Sequence, residues 1–164
     1  MQRTEVEPAA PIETETSGVR FPPPLAYIAG FLIGVVLEAI FPIGSLPLAL
    51  ALIGLAIGVV VWLALDGAAM LRFRRAKTSM IPMRPSTVLV VGGPYRFSRN
   101  PMYVGMAFLY AGLALGLGVI WALVVLPAVL IVVDCQVIAR EERYLERKFG
   151  DSYREYKARV RRWL

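Results

Sequence analysis

Apolar residues are concentrated in three long runs separated by polar stretches. Residues 25–41 are apolar apart from Glu38, and residues 46–65 contain no charge at all. Both runs are long enough to cross the hydrocarbon core of a membrane as helices. Because the link at residues 41–45 is so short, we expect the two helices to run antiparallel as a hairpin.

The third run, residues 102–133, is uncharged over 32 residues. As one helix it would be about 48 Å long, well beyond the roughly 30 Å of a hydrocarbon core. Gly116 and Gly118 therefore predict a turn and a second hairpin, with arms at residues 101–117 and 119–138. Both arms are short for a full crossing, so tilt, local thinning or a partly re-entrant pair are alternatives. The predicted fold is an all-α integral membrane protein with four transmembrane helices in two hairpins.

Charge predicts the sidedness of these helices. Residues 66–100 contain seven basic residues and one acid, and the chain from Arg140 onward contains nine bases and five acids. The positive-inside bias puts both segments, and with four crossings both termini, on the cytoplasmic side of a plasma or inner membrane. Residues 1–24 predict a flexible tail without the basic start or cleavage site of a signal peptide. A single membrane domain is expected over residues 25–164.

The C-terminal segment predicts an amphipathic helix, interrupted at Gly150. Six apolar residues recur at spacings of three and four: Leu145, Phe149, Tyr153, Tyr156, Val160 and Trp163. The basic opposite face favours a helix on the cytoplasmic membrane surface, with Trp163 at the level of the headgroups.

Three pairs of glycines lie one helical turn apart within the apolar runs. Small residues at this spacing let helices approach closely. Packing within one bundle is the preferred interpretation, and a homodimer is the alternative. The pairs are Gly30 with Gly34, Gly54 with Gly58, and Gly112 with Gly116.

Composition excludes several classes of site. The chain is 57% hydrophobic, contains no histidine, and has Cys135 as its single cysteine. One cysteine cannot form an internal disulfide. Without histidine, the usual zinc and haem sites and histidine-assisted serine or cysteine catalysis cannot be formed. We expect no metal. The formal net charge of +6 comes from residues that flank apolar runs, which favours anionic lipid over nucleic acid as the partner.

Three acids in or beside the apolar runs are candidate functional groups, because an unpaired charge there is costly. Each also has a structural interpretation. Glu38 is near the outer end and can reach the interface. Asp66 can end its helix there. Asp134 can pair with Arg140 or lie near the inner mouth of the bundle.

The stretch GGPYRFSRNPMYVG, residues 92–105, lies where a basic segment meets an apolar run. Its prolines stiffen the backbone, its glycines permit close approach, and its tyrosines offer flat amphipathic faces. With Arg96 and Arg99 as hydrogen-bond donors, this stretch could bind a ligand that is part aromatic and part charged. The alternative is a positive flank that starts a helix at Pro101.

A second candidate group is Arg140, Glu141 and Glu142. Two adjacent carboxylates at a membrane mouth can hold a cationic amine or the hydroxyls of a ribose. A charged surface helix produces the same pattern for solubility alone.

GPYRFSRNPMYVG, a following apolar hairpin, and EERYLERKFGDSYREYKARV together resemble the isoprenylcysteine carboxyl methyltransferase family and the related phospholipid N-methyltransferases. The likeness covers residues 70–164, whereas residues 1–65 match only as generic membrane helices. It implies a membrane enzyme that uses S-adenosylmethionine without a Rossmann domain, whose glycine fingerprint is missing here. In this family the cofactor lies in a cytoplasmic pocket covered by the C-terminal segment.

The resemblance also implies which residues hold the cofactor, with one of two glutamates receiving its amino group or ribose. Asn100 replaces a histidine and lacks a titratable ring. The arginine expected on the substrate side falls at Val137, which leaves Arg140 as its nearest replacement and the recognition of a prenylcysteine carboxylate in question. The implied cofactor residues are Val88, Leu89, Val90, Tyr95, Asn100, Pro101, Tyr103, Glu141 and Glu142.

Methyl transfer from a sulfonium is an in-line displacement, so alignment in a water-poor pocket supplies most of the acceleration. A carboxylate acceptor is already ionised, whereas an amine needs a base, for which Glu141, Glu142 and Asp134 are candidates. We predict carboxyl O-methylation of a lipidic, isoprenylcysteine-type acceptor. Phospholipid or amine N-methylation, an NADPH-dependent sterol-type reductase and a non-catalytic membrane protein are the alternatives.

Overall fold

The computed structural model describes residues 17–19, 21–44, 46–76 and 88–164. All regular elements in these ranges are helical, which confirms the predicted all-α class. Most of the predicted tail lies outside the described residues. The elements are α1 (Pro23–Ile40), α2 (Leu48–Ala76), a 3-10 turn (Gly93–Arg96), α3 (Pro101–Gly116), α4 (Ile120–Val133), a π-helical turn (Asp134–Ile138) and α5 (Ala139–Arg159).

In the described part of the chain, three helices are long and apolar enough to cross a membrane. They are α1, α2 and the continuous helix Ile120–Arg159, which α4 and α5 form through the π-helical turn. Helix α3 is apolar but has only 16 residues. The fourth crossing therefore stays a prediction.

The helices do not pair in the order of the sequence. Helix α1 packs mainly on α4, and α2 packs mainly on α3, while α3 and α4 also contact each other. The bundle therefore runs α1, α4, α3, α2, with the first two helices at its edges. The short link between α1 and α2 predicted an antiparallel hairpin; the two helices are not among the pairs that pack extensively on each other, and their antiparallel hairpin stays a prediction. A short link restricts where two helix ends lie, but side chains decide which faces meet.

Glycines lie where the helices approach each other closely. A Cβ on Gly58 would come within 2.7 Å of Gly112 Cα, and one on Gly34 would come within 2.5 Å of Ala122 Cα. Both neighbours are backbone atoms, so the helices could approach this closely only without side chains. The predicted packing of these glycine positions within one bundle is confirmed.

The turn between α3 and α4 lies where it was predicted. Gly118 has a φ of +70°, a conformation that favours glycine. Val119 closes the turn by donating its N–H to the Ala114 carbonyl at 2.8 Å.

Glu38 connects the end of α1 to the start of α4. Its carboxylate accepts hydrogen bonds from the backbone N–H groups of Ile43 at 2.9 Å and Trp121 at 3.0 Å. The Trp121 indole in turn donates to the Phe41 carbonyl at 2.6 Å. Glu38 lies in the last turn of α1, where it satisfies a free N–H group at the start of α4, and its place at the outer side of a membrane stays a prediction.

Asp66 does not end its helix, contrary to the sequence-based interpretation. Helix α2 continues to Ala76, ten residues further on. The intervening residues include good helix formers, and Arg74 and Arg75 in the last turn suit the helix dipole. The end of an apolar run marks where a membrane environment ends, and a helix can continue past that point.

Helix α5 bends at Gly150, where φ is +52°, so the predicted interruption is confirmed. The apolar stripe packs on the protein: Tyr153 and Tyr156 are buried in a cluster with Ala69 and Tyr95. Trp163 also lies against the bundle, where its indole N–H donates to Asp134 Oδ1 at 2.9 Å. The half-buried Asp134 carboxylate thus holds Trp163 on the protein, and its position at the level of the headgroups stays a prediction.

Candidate functional site

The loop that precedes α3 is held against α2. Gly93 has a φ of +65°, and a Cβ there would lie 2.7 Å from Arg72 Nε. The Tyr95 ring packs edge-to-face on Phe73 at 5.7 Å, and the Tyr95 carbonyl accepts a 2.7 Å hydrogen bond from the Tyr156 hydroxyl. The glycine and tyrosine of the motif thus fix the loop between α2 and α5.

Arg99 points inward and joins the loop to α5. Its Nη2 and Nε atoms donate to Glu142 Oε1 at 2.6 and 3.0 Å. Its Nη1 atom donates to the carbonyls of Lys157 at 3.0 Å and Val160 at 2.8 Å. The predicted ligand donor is therefore already occupied by the protein itself, while Arg96 is exposed.

Arg162 completes an ion cluster at the same end of the bundle. It donates from Nη2 to Glu142 Oε2 at 2.6 Å and from Nη1 to Asp134 Oδ2 at 2.9 Å. The sequence suggested Arg140 as a partner of Asp134, but the structure pairs Asp134 with Arg162. Burial would raise the pKa of Glu142, but hydrogen bonds from Arg162 and Arg99 lower it below its usual value.

Asn100 anchors the residues that follow α5. Its Nδ2 atom donates to the Arg162 carbonyl at 2.9 Å, and the neighbouring Arg99 N–H donates to the Arg161 carbonyl at 2.9 Å. Its own N–H donates to Ser98 Oγ at 3.1 Å. The amide group of Asn100 therefore has a structural partner, the Arg162 carbonyl.

Glu141 lies beside this cluster and has a different environment. Its Oε1 atom accepts a 2.8 Å hydrogen bond from the Tyr103 hydroxyl. The Tyr103 carbonyl accepts a 2.9 Å bond from the Tyr27 hydroxyl, which positions Tyr103. Burial raises the pKa of Glu141 to about 7, against the opposing effect of the Tyr103 hydrogen bond. The adjacent glutamates are therefore distinct, one held by two guanidinium groups and the other by a neutral hydroxyl.

A cavity of about 590 Å³ lies between the loop, α2, α3 and α5. Its volume is in the range of roughly 300–1,000 Å³ typical of small-molecule sites. One end is polar, with Arg99, Asn100 and both glutamates. The other end reaches between α2 and α3 and is lined by Trp62, Asp66, Met106 and Leu109.

The cavity brings together eight of the nine residues predicted to hold a cofactor. Pro101 is the exception, since it is fully buried at the start of α3 and does not line the cavity. Arg140, the predicted acceptor ligand, is also outside. It donates to the Gly18 carbonyl and to Gln136 Oε1, both at 3.1 Å. The eight are Val88, Leu89, Val90, Tyr95, Asn100, Tyr103, Glu141 and Glu142.

Sequence reasoning missed three contributors to this site. Arg162 is one of nine basic residues after α4, and nothing in its sequence neighbourhood distinguishes it. Tyr153 and Tyr156 were recognised only as part of an apolar stripe, yet both line the cavity. Asp66 also lines the cavity, whereas the sequence suggested that it ends its helix.

The charges of the cavity wall suit a cationic ligand. Among the described residues that line it, Asp66, Glu141 and Glu142 are acidic and Arg99 is the one cation. Arg99 is already bound to Glu142. Aromatic rings, including Phe73 and Tyr95, add flat apolar surface.

Comparison with known proteins gives a family. Residues 46–152 match the family described as "Phospholipid methyltransferase", which confirms the resemblance inferred from the motifs. A stretch of 63 residues, 38% of the chain, is 44% identical to an uncharacterized protein of Haemophilus influenzae, whose whole length it covers. The family match contains α3, α4 and the glutamate pair. Arg162 lies beyond it.

Proposed function

Since the chain belongs to the phospholipid methyltransferase family, we propose that it transfers a methyl group from S-adenosylmethionine to a hydrophobic acceptor. The observation that carries this proposal is the cavity itself. It joins an acidic end beside α5 to an apolar end between α2 and α3. A polar, cationic donor and a lipidic acceptor need such a pair of environments in contact.

The residues of the polar end fit S-adenosylmethionine, which supplies an activated methyl group when bound. Val88, Leu89 and Val90 offer apolar surface, and Tyr95 an aromatic face. Glu141 is the better of the two glutamates to receive the cationic amino group or the ribose hydroxyls. Its described partner is a neutral hydroxyl, whereas Glu142 already binds two guanidinium groups.

Water exclusion is the other contribution of this chain. Tyr153 and Tyr156 of α5 cover the cavity, and the residues that follow α5 are tied to the loop by Asn100. A donor and an acceptor aligned in such a dry space react faster because little solvent has to rearrange.

Two classes of acceptor follow from the likeness in sequence. Carboxyl O-methylation of an isoprenylcysteine-type lipid was the preferred class, and phospholipid or amine N-methylation is the alternative. The predicted carboxylate ligand Arg140 lies outside the cavity, which weakens the first class. An NADPH-dependent reductase is disfavoured for a related reason, since the cofactor's phosphates would face three acids and an occupied arginine.

The site belongs on the cytoplasmic side of the membrane in this proposal. Basic residues at the end of α2, including Arg74 and Arg75, and those of α5 lie at the same end of the bundle as the loop. The positive-inside bias favours this orientation, and the soluble cofactor would enter from that side.

Binding of S-adenosylhomocysteine and of NADPH to the purified protein in detergent tests the cofactor. Titration calorimetry should show saturable binding of S-adenosylhomocysteine. Glu141→Gln and Tyr103→Ala should each weaken it at least about tenfold, the loss expected for a charge-assisted contact. Asp151→Asn, at an exposed acid of α5, is the matched control and should change nothing. Saturable binding of NADPH alone would overturn the proposal.

The acceptor is identified by product analysis. Membranes that contain the protein are incubated with methyl-labelled S-adenosylmethionine, and the labelled lipid is separated and identified. A labelled ester indicates O-methylation, and a labelled amine indicates N-methylation.

A further inference from the structure

We propose that residues 17–19 and 21–24, before and at the start of α1, close the polar end of the cavity, and that Arg140 holds them there. These residues are called the N-terminal strap. The proposal rests on the proposed function only for the identity of the ligand that the strap encloses. The strap precedes residue 46, where the family match begins, and is defined by contacts within this chain.

The N-terminal strap forms one wall of the cavity. Ser17, Pro22, Pro23 and Pro24 line it together with residues of the loop, α2, α3 and α5. Ser17 is only 7% exposed, so its surface is almost entirely covered. Displacement of the strap would therefore open the cavity on this side.

This wall lies at the polar end of the cavity. The hydroxyl of Tyr27, in the second turn of α1, donates to the Tyr103 carbonyl at 2.9 Å, which brings the start of α1 beside the start of α3. The Tyr103 hydroxyl donates to Glu141. Arg140, which contacts the strap, precedes Glu141 in α5. The strap therefore lies next to the glutamate assigned above to the amino group or the ribose of the cofactor.

Arg140 joins the strap to the helix that carries both glutamates. Its Nη1 atom donates to the Gly18 carbonyl and its Nη2 atom to Gln136 Oε1, both at 3.1 Å. Gln136 lies one helical turn before Arg140, so its amide oxygen orients the guanidinium group. Arg140 does not line the cavity. It is therefore a positioning residue, which acts on the site through the strap.

Several features favour one conformation of the strap. Gly18 has a φ of +66°, a conformation that favours glycine. Val19 is 6% exposed and belongs to the core cluster that includes Tyr103 and Ile138. The three consecutive prolines restrict the backbone, so the strap loses little conformational entropy when it is held in place.

A closed strap has two effects on the reaction. It excludes water from the polar end of the cavity, which favours methyl transfer. It also slows the exchange of a bound ligand on this side, because the contact between Arg140 and Gly18 has to open first. One exposed hydrogen bond contributes little free energy, so the strap still opens often enough for the cofactor to be exchanged.

Labelling of a thiol in the strap tests closure without any ligand. Ser17→Cys is combined with Cys135→Ser, which removes the exposed native thiol. Modification of the full chain in detergent by a polyethylene-glycol maleimide, too bulky for the cavity, is timed by gel shift. Arg140→Gln should raise the labelling rate about three- to tenfold, the factor expected for one exposed hydrogen bond. Arg143→Gln removes the same charge at an exposed position of α5, and this matched control should leave the rate within about twofold.

Two further variants test the contact itself. Arg140→Lys keeps an N–H donor for the Gly18 carbonyl and should restore part of the slow labelling. Gly18→Ala leaves every charge in place but disfavours the φ of +66°, so it should also speed up labelling. Equal labelling rates with and without Arg140→Gln would overturn the proposal. A lower unfolding midpoint in Arg140→Gln than in Arg143→Gln would also overturn it, because faster labelling would then report a general loss of packing.

Release of radiolabelled S-adenosylhomocysteine is measured separately, without Ser17→Cys. Arg140→Gln should raise the dissociation rate constant about three- to tenfold, whereas Arg143→Gln should not change it. An unchanged rate constant in Arg140→Gln would overturn the effect on ligand exchange. Failure of the unaltered protein to bind S-adenosylhomocysteine would contradict the proposed function. The labelling rates need no ligand, so they would still decide whether the strap closes the cavity.

Discussion

Glu142 and Arg162 are joined by a 2.6 Å ion pair between Oε2 and Nη2, although they are 20 residues apart in the chain. The pair requires α5 to fold back at its Gly150 bend, because Arg162 lies only three residues after the end of this helix. It places Arg162 beside Arg99, so that one buried carboxylate binds a guanidinium group at each of its oxygens. The polar end of the cavity is therefore built by side chains that also hold it closed.

Arg162→Ala should destabilise the protein. The substitution removes donors from both Glu142 and Asp134, which stay partly buried, and such charged hydrogen bonds contribute about 2 kcal/mol. Thermal unfolding in detergent should show a lower midpoint. Arg161→Ala is the control, since this neighbouring side chain is exposed and only its carbonyl is used. Equal midpoints for the two variants would contradict this function of Arg162.

Glu141→Gln should change how stability depends on pH. Burial raises the pKa of Glu141 to about 7 in the folded protein, above the roughly 4.3 of an unperturbed glutamate. The folded state then binds more protons than the unfolded state between these values, so the free energy of unfolding falls as pH rises through this window. The midpoint of the unaltered protein should fall relative to that of Glu141→Gln between pH 5 and pH 8. A constant difference would show that Glu141 titrates normally.

The same titration predicts a pH dependence of ligand binding. If ionised Glu141 receives the amino group of S-adenosylhomocysteine, affinity should increase as pH rises through about 7. Calorimetry at pH 6 and pH 8 measures this, and Glu141→Gln should lose the increase. If the affinity of Glu141→Gln still increased as much between pH 6 and pH 8, a group other than Glu141 would cause the pH dependence.

Gly58→Ala should separate α2 from α3. A Cβ at this position would lie 2.5 Å from the Phe108 carbonyl oxygen and 2.7 Å from Gly112 Cα. Both are backbone atoms that cannot rotate away, and overpacking of this kind costs about 1–3 kcal/mol. We expect a lower unfolding midpoint and weaker S-adenosylhomocysteine binding, because these helices form two walls of the cavity.

Gly67→Ala is the matched control in the same helix. Among the described residues, no atom outside the neighbouring backbone of α2 lies within 4 Å of a Cβ at Gly67, so the alanine should be neutral or stabilise α2 by up to about 1 kcal/mol. Similar losses in both variants would mean that the α2–α3 contact does not explain the effect.

The positions of the helices were largely predictable. The first apolar run was predicted at residues 25–41 and forms α1 at Pro23–Ile40, and the arm predicted at residues 101–117 forms α3 at Pro101–Gly116. Proline starts and glycine turns are local signals, and apolar length is set by the membrane. Local chemistry therefore specifies most helix ends.

The arrangement of the helices and the ion cluster were not predictable in the same way. The pairing of α1 with α4 depends on the complementary shapes of Gly34 and Ala122, which no periodicity encodes. The contacts of Arg162 with Glu142 and Asp134 join residues 20 and 28 positions apart. Any of the nearby arginines could have made them on charge alone, so only the folded backbone selects one.

The packing order α1, α4, α3, α2 has a consequence for biosynthesis. Among the described residues, α1 and α2 are not a pair that packs extensively on each other, so during synthesis they would be surrounded by lipid until α3 and α4 are inserted. The glycines of α1 and α2 find their counterparts only after α3 and α4 have been inserted. Arrest of translation after α2 should therefore leave an intermediate that is sensitive to quality-control proteases. In this view α1 and α2 pack stably only once α3 and α4 are present.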